Sequence, residues 1–346
     1  MATQSTSTNA NGAFLVKGAS LTSLIGGVAL MALKFWAYTQ TSSQAVFSDA
    51  MESIANVVAA CLALFAVFYA SRPADEGHPY GHGKAEYFSA AFEGGLVTFA
   101  GLVIVIEAIS AIMQGRVLYN PHFGIVIVAG AGIGNLILGL ALLRIGRGHQ
   151  SAALVASGKH LMSDFWTSVA VVVGLGLVWW TGMNWLDSTI AILIAALLIC
   201  EGFKLVRRSI GGLLDEEDLE ILHKLKGIFT PLATDGIIQI HHVKVIRSGV
   251  FHHIDAHLVL PEYWDIAKAH DKTDEFAEKI TSQYPYRAEM NFHLDPCRHA
   301  YCSVCDLKDC PIRVERFKER MPVKLDHLRS REEPKEYRAK GSSCPT

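Results

Sequence analysis

Charge is what this sequence has least of. Asp, Glu, Lys and Arg make up 18% of its 346 residues, against about 25% in an ordinary soluble domain. The charges nearly cancel, at a formal net of −2, so no basic footprint for a nucleic acid is present. The opening segment MATQSTSTNANG lacks the basic stretch and apolar core of a cleavable leader. Its small polar residues predict an irregular N-terminus over 1–12. The seven cysteines do not form the framework of a secreted disulfide scaffold. Cys61 and Cys200 stand alone in apolar runs, Cys344 lies in the tail, and the other four cluster late. Gly83-Lys84 is not a P-loop, because His78 replaces the required glycine and Ala85 the Ser or Thr. No ATP site is visible, and no HExxH motif of a metallohydrolase occurs.

What the chain has in abundance is apolar sequence, 51% of all residues, crowded into positions 13–207. A membrane span needs about 20 mostly apolar residues. Pro121–Leu143 and Phe165–Leu186 contain no Asp, Glu, Lys or Arg. Phe47–Ser71, Leu21–Tyr38 (interrupted by Lys34), Gly94–Ile106 and Ser188–Cys200 complete six expected transmembrane helices within a domain over 13–208. Lys17, Arg72, Lys84, Arg144, Arg147, Lys204, Arg207 and Arg208 flank one side, and Arg116 alone the other. The basic side is predicted to be cytoplasmic, together with both termini.

From about Gly211 the pattern becomes soluble. Glu216–Ile228 and Ala267–Tyr284 have helical periodicity. Gly236–Ile246 and Val250–Leu260 are β-rich around the turn Arg247-Ser248-Gly249, and Ala288–Leu294 suits a last strand. The order αββαβ predicts a small α+β domain over 209–296, helices against one sheet, followed by a Cys-rich, largely irregular tail over 297–346.

Ionisable groups inside a bilayer usually mark a pathway. Asp49, Glu52 and Asn56 recur on one face of the second helix, and His160 and Asp164 lie one turn apart on the fifth. Glu52, Asn56, His160 and Asp164 form an N/O set suited to four-coordinate Zn²⁺, with Asp49 as an accessory group. The imidazole argues against a site for Mg²⁺ or Ca²⁺ alone. Glu93, Glu107, Asp187 and Glu201 fall nearer helix ends, where interfacial solvation is expected. In the following loop, Asp75, His78 and His82 are ligand types in a tight glycine-rich turn. Strand alternation would present His241, His257 and His293 together with Asp295. Cys297-x4-Cys302-x2-Cys305-x4-Cys310 fits structural Zn²⁺, and free thiols or an iron–sulfur site are the other readings.

These segments resemble the cation diffusion facilitator family of metal/proton antiporters over residues 14–296. Ser48-Asp-Ala-Met-Glu52-Ser-Ile-Ala-Asn56, Arg72-Pro-Ala-Asp75-Glu-Gly-His78-Pro-Tyr-Gly-His82-Gly-Lys84-Ala-Glu86, His160-Leu-Met-Ser-Asp164 and His293-Leu-Asp295-Pro296 are similar to family motifs. The resemblance implies a ferredoxin-like cytoplasmic domain and a homodimer. It implies a transport site at Glu52, Asn56, His160 and Asp164, and a loop site at Asp75, His78 and His82. It further implies a cytoplasmic site at His241, His257, His270, His293 and Asp295, and an interdomain salt bridge between Lys84 and Asp215. The second helix departs from the family's HxxxD or DxxxD in having Glu52-x3-Asn56, which widens the expected cargo from Zn²⁺ to Fe²⁺, Co²⁺, Cd²⁺ and Ni²⁺. The family's histidine-rich link between the fourth and fifth helices is absent.

The expected protein is therefore not an enzyme. It is a divalent transition-metal efflux transporter in a lipid bilayer, implied to be the bacterial inner membrane, with protons as counter-ion and metal as transported and regulatory ion. A membrane metalloenzyme would need an open metal position with a general base. A membrane metal sensor would bind metal and move none.

Overall fold

The computed structural model describes residues 6–70, 72–116, 118–148, 152–249, 251–334 and 337. Cys344 and residues 1–5 of the N-terminus expected to be irregular lie outside them. The chain divides into two compact units. One comprises the chain up to Ala66 together with Tyr87–Ile210, the other Val67–Glu86 with Gly211 onward.

The first unit is helical. Its elements are α1 (Thr6–Thr41), α2 (Gln44–Ala70), α3 (Ala85–Gln114), α4 (Pro121–Gly148), α5 (Ala152–Thr181) and α6 (Trp185–Leu213). Among the described residues these six are the helices long and apolar enough to cross a membrane. At 27 residues α2 would span about 40 Å, more than the roughly 30 Å hydrocarbon core. Two expectations shift. The helix α1 reaches back to Thr6, into the segment expected to be irregular. The fifth span ends before Leu186: the helix stops at Thr181, and Gly182 turns the chain with φ +69°, a conformation only glycine adopts at little cost.

Small residues let these helices approach, as is usual inside membranes. Ala37, Ala45, Ala108, Val128, Val171, Leu175, Ala191 and Ala195 are fully buried in one cluster. A Cβ added to Gly158 of α5 would stand 2.9 Å from the Gly139 carbonyl oxygen of α4. Asp187, expected near solvent, is instead buried. It accepts hydrogen bonds from Ser43 Oγ (2.6 Å) and from the Gln44 and Ala45 amides at the start of α2. These amides have no partner within their own helix, and a carboxylate there satisfies them and faces the positive end of the helix dipole.

The second unit runs α7 (Leu219–Leu232), β1 (Gln239–Ser248), β2 (Phe251–Leu260), α8 (Ile266–Gln283) and β3 (Arg287–Pro296), the αββαβ order read from the sequence. Asp218 caps α7 by accepting from the Glu220 and Ile221 amides, and Asp265 caps α8 through the Lys268 amide. The sheet order is β1-β2-β3, antiparallel across the hairpin and parallel across the α8 crossover. Ile254, Ala256 and Leu258 point to the helical face, where they meet Leu225, Phe229, Phe276 and Ile280. The alternate residues His253, Asp255 and His257 therefore face the other way. Among its described residues the tail beyond Pro296 has little regular structure, a 3-10 turn at His299–Tyr301 and the short α9 (Leu325–Arg329), yet it is packed. Tyr301 and Leu328 are fully buried, and the Ser330 carbonyl accepts from the His242 amide of β1.

Candidate metal centre

The helical unit brings α2 and α5 together through their polar residues. Asn56 Nδ2 donates to Asp164 Oδ2 at 3.1 Å. The imidazole of His160, one turn before Asp164, places Nε2 3.9 Å from Asp164 Oδ1. Glu52 and Asp164 are buried, and Glu52 Oε2 and Asp164 Oδ1 have no hydrogen-bond partner. Buried carboxylate oxygens without partners are costly, and a cation removes the cost. Two carboxylates, an imidazole and an amide oxygen form a donor set for a borderline divalent ion.

Asp49, expected as an accessory group, is engaged by other side chains. Lys34 Nζ lies 2.8 Å from Asp49 Oδ1 and 3.0 Å from Ser53 Oγ, while Ser168 Oγ donates to the same carboxylate at 3.2 Å. An ammonium in contact occupies the oxygen and repels a second cation. The pair is about 1% exposed on either side, which makes it a structural tie between α1, α2 and α5. The sequence marked Lys34 only as an interruption in an apolar helix.

In the second unit the loop triad closes on itself. His78 Nδ1 is 3.1 Å and His82 Nε2 3.4 Å from the carboxylate of Asp75. The three residues can each turn a ligand atom to within 4.8 Å of the others. The hydrogen bond from His78 holds the Asp75 carboxyl below the usual carboxylate range. Gly83 lets the loop touch the β1–β2 hairpin, since a Cβ there would stand 2.1 Å from the Ser248 carbonyl carbon. Lys84 Nζ meets Asp215 Oδ2 at 2.8 Å, the pair that the resemblance implied, inside this one unit.

The third set lies on the open face of the sheet. His241, His257 and His293 are direct cross-strand neighbours, and Asp295 stands two residues further along β3. Its carboxylate is 3.3 Å from His241 Nε2, 3.0 Å from His257 Nδ1 and 3.5 Å from His293 Nε2. His241, His257 and Asp295 close to within 4.8 Å. Burial lowers the His241 pKa to about 4, which favours the neutral imidazole that a metal needs. His242 was not foreseen. A bulge between His241 and Lys244, with His242 at φ 50°, turns its ring to the same face, 3.1 Å from His257 Nε2. His270 is not brought in: it sits exposed on α8, 3.5 Å from Asp274.

The thiols of Cys297, Cys302, Cys305 and Cys310 are unpaired and line one cavity with Ile238, Tyr301 and Arg313. Burial pushes the Cys297 thiol up to about 11 and raises that of Cys305.

Residues 20–214 match the family model described as the cation efflux transmembrane domain, and residues 219–297 match the cation efflux protein cytoplasmic domain. The chain belongs to the cation diffusion facilitator family. Among its relatives, an uncharacterized transporter of Synechocystis sp., sll1263, is 34% identical over 82% of this chain and 91% of its own length. The cation-efflux pump FieF of Yersinia enterocolitica is 27% identical over 83% of this chain and 97% of its own. The FieF of Salmonella choleraesuis is 26% identical over 82% and 93%. As a facilitator the protein is a multi-pass membrane transporter of metal cations. The match to the cytoplasmic domain ends at Cys297, so the other three clustered cysteines lie beyond it.

Proposed function

We propose that this facilitator exports a divalent transition-metal cation from the cytoplasm in exchange for protons, with Zn²⁺ the foremost cargo and Fe²⁺, Co²⁺, Cd²⁺ and Ni²⁺ as others. The observation that carries this reading is the pair of buried, unpartnered carboxylate oxygens of Glu52 and Asp164 beside Asn56 and His160. In the proposed cycle the ion enters from the cytoplasm and binds those four residues. Protons arriving from the far side then compete for His160 and the carboxylates, and the ion leaves.

The flanking Lys and Arg residues support a cytoplasmic position for both termini, which suits a bacterial inner membrane. The cytoplasmic domain pairs two copies into a homodimer. Metal at the loop triad and the sheet site stabilises that domain as metal load rises, which makes the ion regulatory as well as transported. Names of relatives as cation-efflux pumps support the direction of transport.

The test is Zn²⁺ uptake into proteoliposomes with and without an imposed pH gradient, for the wild type and Asp164→Asn. Flux that depends on the gradient and disappears in the folded variant is expected. Binding without flux would assign the protein to metal sensing instead.

A further inference from the structure

The cysteine tail extends past the matched cytoplasmic domain, which ends at Cys297, and has no role in the transport cycle proposed above. We propose that Cys297, Cys302, Cys305 and Cys310 together hold one divalent thiophilic ion of the Zn²⁺ class, as a structural centre separate from the transported ion. Several observations converge on it. The four thiols come from one short segment, line a single cavity, and are all free. Three are buried, and Cys297 and Cys305 form part of a small core with Ile238, Val259 and Tyr301. Around them the chain has no helix or strand beyond the 3-10 turn, and local turn hydrogen bonds, such as those of the Val304 and Cys305 amides to the Tyr301 carbonyl, hold its backbone. A four-thiolate ion would add a cross-link between these turns.

The electrostatics suit such an ion. A divalent cation with four thiolates carries a net charge of −2. Arg298 and Arg313 line the same cavity. Arg313 also donates to the carbonyl oxygens of Cys302 (2.8 Å), Cys305 (3.0 Å) and Leu307 (2.5 Å), which wraps the loop around its guanidinium. The cavity of about 10 Å³ has room for roughly one water-sized occupant. That matches a single ion. The four residues line this space, but no three of their sulfurs lie within 4.8 Å of one another, so binding has to draw them inward and release the thiol protons. Its anchor is firm: the Cys297 amide donates to the Leu260 carbonyl at 2.7 Å. An ion there would pin the tail to the end of β2 and β3, two residues beyond Asp295.

Buried thiols react slowly with or without metal, so thiol labelling alone is a poor test. Full-length protein purified under reducing conditions is instead treated with a mild chelator and its metal measured. One ion per protomer is expected to survive in the wild type and to be lost from Cys302→Ser and from the more exposed Cys310→Ser. Wild-type protein reconstituted with Co²⁺ alone should show the intense thiolate-to-cobalt charge-transfer absorption of a four-sulfur site, a readout that needs no variant and no transport. Equal retained metal in wild type and variants, a Co²⁺ spectrum without sulfur character, or an iron–sulfur chromophore in anaerobically purified protein would overturn the proposal. Loss of flux in vesicles with the cobalt spectrum intact would refute the transport reading and leave this centre standing.

Discussion

Lys34 and Asp49 illustrate what a single buried pair does in this molecule. Each alone would be an uncompensated charge among apolar helices, and together they tie three helices. Removing one partner of such a pair costs about 3–5 kcal/mol, while replacing both with apolar groups costs far less. Lys34→Met is therefore expected to lower the detergent-solubilised melting temperature sharply, and Lys34→Met with Asp49→Leu to recover most of it. An unchanged melt in the single variant would contradict the tie. Asn56 is the counterpart at the proposed transport site. Its amide spends one hydrogen bond on Asp164, and Asn56→Asp would replace that donor with a second-helix carboxylate. Mn²⁺ and Fe²⁺ flux should rise relative to Zn²⁺, because carboxylate oxygen suits harder ions. Competition flux at matched protein levels measures the ratio, and an unchanged ratio in folded protein would remove Asn56 from the coordination shell. Glu52, Asn56, His160 and Asp164 were legible because helical spacing puts i and i+4 on one face. The partner of Asp49 was not, since a contact between Lys34 and Asp49 depends on how helices pack.

Elements decide which histidines meet. Strand alternation predicted His241, His257, His293 and Asp295 on one face, and the register makes the three histidines adjacent. His242 escaped that reading because a bulge breaks the alternation, and one inserted residue reverses which side chains face out. His270, taken from the resemblance alone, lies on a helix that packs against the opposite face of the sheet. The loop triad depends in the same way on a backbone contact. Gly83 touches the hairpin at Ser248, so Gly83→Val must push the loop away while Asp75, His78 and His82 remain. It should reduce bound metal by about as much as His78→Ala with His82→Ala, one ion per protomer by elemental analysis. Full stoichiometry in Gly83→Val would show that the triad closes without that contact.

At the scale of the whole molecule, apolar runs and their basic flanks made the six-helix membrane domain legible, and the switch to αββαβ marked the second domain. The assignment of Val67–Glu86 to the second unit was not readable, because it rests on packing of a loop between two spans. That second unit should also respond to pH. Burial depresses His241 from 6.5 to about 4 and lowers His242 and His252. Below pH 6.5 the unfolded chain takes up protons that the folded one refuses, so stability falls as pH drops through that value toward 4. Hydrogen exchange of β1–β3 in metal-free protein should be faster at pH 5 than at pH 7 after correction for intrinsic rates, and His252→Gln should reduce the difference. Equal protection at both pH values would contradict the burial of neutral histidines.

The central claim is that buried carboxylates on α2 and α5 carry metal across the membrane against protons. Its most direct measurement records Zn²⁺ and H⁺ movements together in proteoliposomes of the wild type and Asp164→Asn. The account predicts Zn²⁺ uptake accompanied by opposite proton movement in the wild type, and neither in the folded variant. Zn²⁺ uptake with no proton counter-movement, or undiminished uptake in Asp164→Asn, would contradict it.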